Sequence, residues 1–582
     1  MSDRRIGVYI CHCGGNISDY VDVEAVREAS AKEAGVVVAK TAMFTCSDAT
    51  QQEIVEDIRE KSLDGLVVAS CSPKLHLYTF RDMAKRAGLN PYRYTQVNVR
   101  EQCSWAHTDD KKGATEKAVR LVRAGIARTL LTDSLEPVII DTVPRALVVG
   151  AGIAGLRAAV GLSDIGISVY LVEREKSVGG RVVGLGSMYP HGRDGNRIIS
   201  QLVSEIGKRE NIVAYTGAEV VGKSGSVGNF NVKVRVGADK PQFVDLNVGS
   251  IIVATGFDTF QPGNGEYGYG TGGVVILDQF RELLDRSGGV PAYNGKEIKS
   301  VAYIYCVGSR RDPGVEGAKA YCSRYCCNAA VHASLLAVEK NPRIHQYHLY
   351  RDMRTYGRYE LMFDQAREAG STFLRFGEDD PPVVSQAANG GISVSVKDLL
   401  TFGEQVEMEV DLVVLVTPMV PRQNGDLVDV LKLPLGKDGF FNEIHPKLRP
   451  VETVVDGAFI CGSCQAPKNS SESVASALAA VTQAASLLKK GYVELDPLMA
   501  VVDSDSCRWC GECAKACPYG AISREEYQGA EVASVSEAIC KGCGGCAPAC
   551  PKNAIDLKGY TDAQVKAMIE ALVAEWGHTS LI

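Results

Sequence analysis

No stretch of the chain reaches the roughly 18 consecutive apolar residues that span a bilayer. The richest, residues 474–488, is broken by Ser, Thr and Gln. Basic excess is missing as well. The net charge of −7 argues against nucleic acid and against an anionic membrane surface. The first residues run straight into a short apolar strand, without the h-region or cleavage site of a secretory signal. No pair of residues reads as a general acid and base for organic chemistry. What the chain does have is cysteine, 19 in 582 residues. With no secretory signal they read as metal ligands in a reducing, cytoplasmic compartment rather than as disulfides. The length exceeds what one core supports, so three or four domains are expected.

Eight of the cysteines form two copies of one spacing, Cys507-x2-Cys510-x2-Cys513-x3-Cys517-Pro518 and Cys540-x2-Cys543-x2-Cys546-x3-Cys550-Pro551. This run holds paired [4Fe–4S] clusters, the fourth cysteine of each copy ligating the other cube. Cys507, Cys510, Cys513 and Cys550 are therefore expected on one cluster, and Cys540, Cys543, Cys546 and Cys517 on the second. Zinc ribbons also use CxxC pairs, but they require neither the third and fourth cysteines nor the trailing proline. Gly511, Gly542, Gly544 and Gly545 let the backbone approach inorganic sulfide.

In the middle of the chain an apolar strand, Arg145–Val149, leads into Gly150-Ala-Gly152-Ile-Ala-Gly155 and a helical run. A second strand, residues 168–172, ends in Glu173, 18 residues past the last glycine. Strand, glycine turn, helix and acid together make a dinucleotide site, with Ile153 and Ala154 inside the turn. Three later segments resemble, in order, the motifs of FAD-containing disulfide-reductase and thioredoxin-reductase-like flavoproteins. They are Val178-Gly179-Gly180-Arg181, Ala254-Thr255-Gly256 after a strand at Ser250–Val253, and Asp456-Gly-Ala-Phe459-Ile-Cys461-Gly462-Ser463. The resemblance implies FAD, with Glu173 and Arg174 at the ribose end and Gly179, Gly180 and Arg181 along the pyrophosphate. It places Ala254, Thr255 and Gly256 beside the adenine half and Gly462 and Ser463 at the ribityl chain; Val220 is read among the cofactor-binding residues, and Lys468, between Pro467 and Asn469, as reaching the pyrimidine edge of the flavin. Ser463 stands where that family has Asp. The following helix, expected from about residue 470 to 488 and capped by the Ser470-Ser471-Glu472 stretch, would point its positive end at the flavin.

The flavoproteins in question carry a second glycine triplet for NAD(P)H. Here the matching strand, residues 300–305, is followed by Cys306-Val-Gly308-Ser309 and then by Tyr321-Cys-Ser-Arg-Tyr-Cys-Cys327. Cys306, Cys322, Cys326 and Cys327 are read as ligands of a [4Fe–4S] cluster in the NAD(P) position; the competing reading is a redox dithiol. In the first 140 residues, strands at 6–10, 36–44, Gly65–Ser70 and 92–99 are each followed by cysteine. In a parallel sheet those ends converge on one edge. Cys46, Cys71 and Cys103 plus one of Cys11 or Cys13 are expected to hold a further cluster; the alternative is inert buried thiols. Cys461 and Cys464 beside the flavin motif are read as packed residues. Residues 561–576 read as an amphipathic helix docking on a partner or on the ferredoxin module.

Nearly the whole chain is similar to one family, the HdrA component of heterodisulfide reductase and its bacterial relatives. The similarity rests on Cys11-His-Cys13-Gly-Gly, Cys71-Ser-Pro73, Gly150–Gly155, the Cys306 and Tyr321–Cys327 segments and the paired ferredoxin run. It implies an α/β protein: a thioredoxin-reductase-like, Rossmann-type FAD-binding core at 141–495, an N-terminal α/β domain at 1–140, and a 2[4Fe–4S] ferredoxin-like domain with a terminal helix at 496–582. It implies FAD and four [4Fe–4S] clusters in an electron-transfer component of a multi-subunit oxidoreductase, one that bifurcates electron pairs at the flavin in some members. Partners would be other redox subunits and ferredoxin, in homo- and hetero-oligomers, with no nucleic acid and no membrane span. Methanogen-type members carry an inserted ferredoxin module where residues 184–198 form a short loop without cysteine. The alternatives are a stand-alone NAD(P)H-dependent flavoprotein reductase and a non-catalytic electron-wire scaffold.

Overall fold

A computed structural model describes the chain except for residues 1–3, 190–191, 239, 313–318, 388–390 and 575–582. The residues gather into two compact units, one of 1–140 together with 494–582, the other of 141–493. Among the described residues no helix is long and apolar enough to cross a membrane.

The first unit opens with β1 (Ile6–Cys11), α1 (Val23–Ser30), β2 (Val36–Ala42), α2 (Asp48–Glu60), β3 (Gly65–Ser70), α3 (Pro73–Ala87), β4 (Tyr94–Asn98) and α4 (Lys111–Leu130). The strands form one parallel sheet in the order β2-β1-β3-β4. Every residue of β1 and β3 is buried, as expected where helices cover both faces of a parallel sheet. The order reverses at β1, which pairs with β2 on one side and β3 on the other. A crevice opens at the carboxyl end of such a strand.

The second unit contains two five-stranded parallel sheets. The first uses β5 (Arg145–Val149), α5 (Ile153–Asp164), β6 (Ser168–Glu173), β7 (Ile212–Thr216) and β8 (Ser250–Val253), the second β9 (Val274–Ile276), α6 (Leu277–Arg286), β10 (Ser300–Ile304), α7 (Cys326–Lys340), β11 (His345–Tyr350), β12 (Thr372–Arg375) and β13 (Leu412–Leu415). β14 (Ala458–Ile460) returns to the first sheet, and α8 (Ser470–Lys489) packs on α5. The strand orders are β7-β6-β5-β8-β14 and β9-β13-β10-β11-β12. Each sheet carries a three-stranded antiparallel meander at its side. In the first meander Asn229–Val236 alternates exposed and buried residues, the pattern of a sheet wet on one face. The orders reverse at β5 and at β10, so the Gly150 turn and Cys306 both fall at a switch point.

The chain returns to the first unit with β15 (Ala500–Val502), β16 (Ile522–Tyr527), β17 (Ala530–Val535), β18 (Ile555–Leu557) and α9 (Asp562–Val573). β15 pairs with β18 and β16 with β17, and the cysteine loops lie between them. α9 packs on α4, where Gln564 Nε2 donates to the Leu131 carbonyl at 2.9 Å. The helix therefore docks on α4, not on the ferredoxin loops, with Gln564 buried and Val565 and Ile569 of the expected stripe exposed. Trp576 lies outside the described residues.

Candidate functional site

A cavity of about 1200 Å³ opens at the β5 switch point, larger than the usual pocket for a drug-sized ligand. Its walls include Gly150, Gly152, Ile153, Ala154, Glu173, Arg174, Gly180, Arg181, Val220, Ala254, Thr255, Gly256, Ser463 and Lys468. Gly155, Gly179 and Gly462 stand behind the wall. A Cβ on Gly155 would lie 1.8 Å from the Gly150 carbonyl oxygen, so this residue sets the approach of α5 to β5. The Gly179 N–H donates to the Ala151 carbonyl at 2.7 Å, and the Gly462 N–H to Ser476 Oγ at 2.7 Å.

The polar groups fit a dinucleotide. Glu173 is buried, and its carboxylate accepts the N–H groups of Ala151 at 2.6 Å and Glu175 at 3.0 Å. That fixes the acid at the rim with lone pairs left for ribose hydroxyls. Thr255 forms part of the wall, and its Oγ1 is buried with no hydrogen-bond partner among the described residues. Lys468 Nζ donates to Gln465 Oε1 at 2.9 Å, and burial lowers its pKa. Arg181 is half-exposed and pairs with Asp278 at 3.3 Å and Asp258 at 3.7 Å. The cap of α8 is Asn469 rather than the two serines. Its Oδ1 accepts the Glu472 N–H at 2.9 Å, and Glu472 Oε2 accepts the Asn469 N–H at 2.9 Å. Cys461 and Cys464 are buried, and Cys464 Sγ donates to the Cys461 carbonyl at 3.1 Å.

At the β10 switch point the structure brings Cys306, Cys322, Cys326 and Cys327 together. Burial, then Cys327 and Cys322, pushes the Cys306 thiol up to about 11. Cys326 is raised by its hydrogen bond to Cys327 and by burial, with Cys306 and Cys322 adding to the shift. Cys327 is lowered because it receives that hydrogen bond, and Arg354 and Arg310 favour its thiolate. Cys322 Sγ accepts the Arg324 N–H at 3.2 Å. Tyr325, adjacent to Cys326, forms part of the wall of the large cavity.

At the β1 switch point four cysteines gather round Arg100, which donates to Cys13 Sγ at 3.5 Å. Burial pushes Cys71 up to about 11, Arg100 opposes that shift, and Cys13 and Cys11 add to it. Cys46 is raised by burial, Cys11 and Cys13. Cys103, expected among the ligands, stands apart. It is fully buried among core residues with Val97, Ala114 and Ala118. Burial pushes it to about 11, with Lys117 alone opposing. After β4 the backbone makes a π-helical turn at Arg100–Ser104. This places Arg100 at the cysteines and carries Cys103 into the core beside α4. Arg100 itself went unread in the sequence, although it lies two residues past β4.

In the ferredoxin portion Cys517, Cys540, Cys543 and Cys546 line one hollow. Cys546 is raised by burial, Cys540, Cys543 and Cys517, so Cys517 joins the second loop's cysteines. Cys513 is raised by burial and by Cys510 and Cys507. The sulfurs of Cys507, Cys517 and Cys550 each accept a backbone N–H at 3.3 Å, from Ala533, Ala521 and Ala554. A Cβ on Gly542 would lie 2.0 Å from the Leu498 carbonyl oxygen, so the crowding this glycine relieves comes from the chain itself. Among the described residues no three His, Cys, Asp or Glu side chains converge on a single ion. A cube takes its cysteines at separate irons, so this geometry bears on mononuclear sites only.

A family described as 4Fe-4S dicluster domain matches residues 506–554. An HdrA-type iron-sulfur component of the CoB–CoM heterodisulfide reductase of Methanopyrus kandleri is 38% identical, over 90% of this chain and 92% of the relative. The HdrA component of the H2:CoB-CoM heterodisulfide,ferredoxin reductase of Methanothermobacter thermautotrophicus is 36% identical, over 90% and 91%. The first alignment runs to 610 positions, more than the 582 residues of this chain, so it includes residues of the relative with no counterpart here. The crystal structure of T. acidophilum thioredoxin reductase overlays with a TM-score of 0.40 at 15% identity, over 59% of this chain and 97% of that one.

Proposed function

The chain belongs to the HdrA family, the iron–sulfur component of heterodisulfide reductase, and from that premise we propose that it is an electron junction within a multi-subunit oxidoreductase. Bound FAD would exchange electron pairs for single electrons, and [4Fe–4S] clusters would carry single electrons. The Gly150–Gly155 turn binds the pyrophosphate on the N-terminus of α5. Glu173 orients the ribose, and Lys468 with the N-terminus of α8 favours negative charge at the flavin end. Cys306, Cys322, Cys326 and Cys327 hold a cluster in the place of a nicotinamide cofactor. Cys11, Cys13, Cys46 and Cys71 hold another beside Arg100, and the ferredoxin portion holds two. The observation that carries the reading is Tyr325–Cys326: one residue walls the large cavity and the next belongs to the cysteine group.

The names of the relatives include ferredoxin and CoB–CoM heterodisulfide. By extension this chain passes electrons to other redox subunits and to a ferredoxin, dividing each pair between two acceptors. Anaerobic mixing tests the junction. NADH and NADPH should leave the flavin absorbance unchanged, whereas a reduced low-potential ferredoxin should bleach it. Rapid bleaching by either nicotinamide would instead make the chain a stand-alone reductase.

A further inference from the structure

Arg100 is built into the β1 switch point, where Cys11, Cys13, Cys46 and Cys71 gather. Its side chain is 15% exposed. Nη1 donates to Cys13 Sγ at 3.5 Å and Nη2 to Glu101 Oε1 at 2.8 Å. The guanidinium lies over the half-exposed Trp105 ring at 4.5 Å. The π-helical turn fixes this approach. The Arg100 carbonyl accepts the Ser104 hydroxyl at 3.0 Å and the Trp105 N–H at 2.9 Å, and Asn98 Oδ1 accepts the Glu101 N–H at 3.1 Å. Single turns of this kind are frequent at functional sites.

An ion pair with Glu101 would need Nη2 alone, yet Nη1 is on the sulfur. A guanidinium keeps its proton, so this contact is a fixed positive charge against a thiol that becomes a thiolate when it binds iron. Glu101 opposes that charge without cancelling it. Its Oε1 holds the far nitrogen of the fork, and its Oε2 accepts the Ser72 N–H at 2.9 Å. Even at Cys71, next to Ser72, the attraction of Arg100 for a thiolate exceeds the repulsion from Glu101. Reduction of a cube adds one electron and one negative charge. A cation and a hydrogen bond at a ligand sulfur favour the more negative state, which is how net charge and hydrogen bonds to sulfur set cluster potentials.

We propose that Arg100 is a redox-tuning residue, raising the reduction potential of the [4Fe–4S] cluster held by Cys11, Cys13, Cys46 and Cys71, and that Glu101 moderates the rise. The inference rests on the reading that these four cysteines hold a cluster. Electrons then settle in the N-terminal sheet at a higher potential than the cysteines alone would set.

The test is an EPR-monitored redox titration of the full-length chain, purified anaerobically, with dithionite as the reductant and iron measured on each sample. Cys71→Ser identifies the cluster: about four iron atoms and one reduced-state signal should disappear together. That signal is then followed in three variants. Arg100→Gln should keep its iron and make reduction about tenfold harder, a fall of about 59 mV for one electron. Arg100→Lys, which keeps the charge, should fall less. Glu101→Gln should move the midpoint upward. Opposite shifts from adjacent residues are the signature of charge, which loosened packing does not produce. An unmoved midpoint in Arg100→Gln with iron intact overturns the proposal, as do shifts of both glutamine variants in one direction. If Arg100→Gln loses the cluster, Glu101→Gln decides alone, and an unmoved or lowered midpoint overturns it. Full iron and an intact set of signals in Cys71→Ser would sink the four-cysteine reading and the proposal with it, an outcome that iron content separates from an unmoved midpoint.

Discussion

Cys13 and Cys306 sit at φ of 56° and 62°, each just beyond the carboxyl end of a strand at a switch point. A side chain in that left-handed region costs about 1–2 kcal/mol that glycine avoids. The thiol is what these positions keep at that cost. Cys306→Gly and Cys306→Ala should therefore lose cluster iron equally, while the metal-free glycine variant unfolds at about 1 kcal/mol greater stability. Urea melts of the two iron-depleted chains check the difference. Two buried histidines set a pH dependence. Burial and Arg281 push His332 to about 4, and burial pushes His348 to about 3. Both are depressed below the unfolded value of about 6.5. The neutral folded forms are thus fully favourable above that value and lose stability as pH falls toward the folded values. Melting of the second unit should fall between pH 6.5 and 4, by up to about 1.4 kcal/mol per pH unit for each histidine. His348→Phe should flatten that slope in a calorimetric series.

At the scale of elements, the glycine turn couples α5 to β5 through one contact. Gly155→Ala puts a methyl where 1.8 Å separates it from the Gly150 carbonyl, so helix and strand must part. The variant should purify with little or no flavin while its iron content falls by less than half; flavin-to-protein ratios near wild type would refute the role given to this turn. Features set by local spacing were legible in the sequence: the paired cysteine run, the Gly150 turn with Glu173, and α8, expected from about 470 and observed at Ser470–Lys489. Features set by the path of the backbone between elements were not. The π-helical turn after β4 decides that Cys103 enters the core while Arg100 reaches Cys13, and no periodicity announces it. The cap Asn469 was hidden because three consecutive residues, Asn469 to Ser471, are all good capping types. The stripe expected on α9 identified neither the packed face nor its seat: Gln564 is buried against α4 while Val565 and Ile569 are exposed.

At the scale of the molecule, the first unit joins the two ends of the chain. Arg128 on α4 is buried, donates to the Gly559 carbonyl at 2.7 Å and stacks over the Tyr560 ring at 3.9 Å. Arg128→Met should lower the unfolding free energy of that unit by about 2 kcal/mol, read as a shift in its urea midpoint with the second unit unaffected. The central claim concerns the second unit, where the proposed function sets a cysteine-held cluster in the nicotinamide position beside a flavin. Iron and flavin analysis of one anaerobically purified sample tests it most directly, in the wild type and in a Cys322→Ser/Cys327→Ser variant. The account predicts about 16 iron atoms per FAD from four cubes, falling by about four in the variant. About eight per FAD in both proteins would leave only the ferredoxin pair and contradict it.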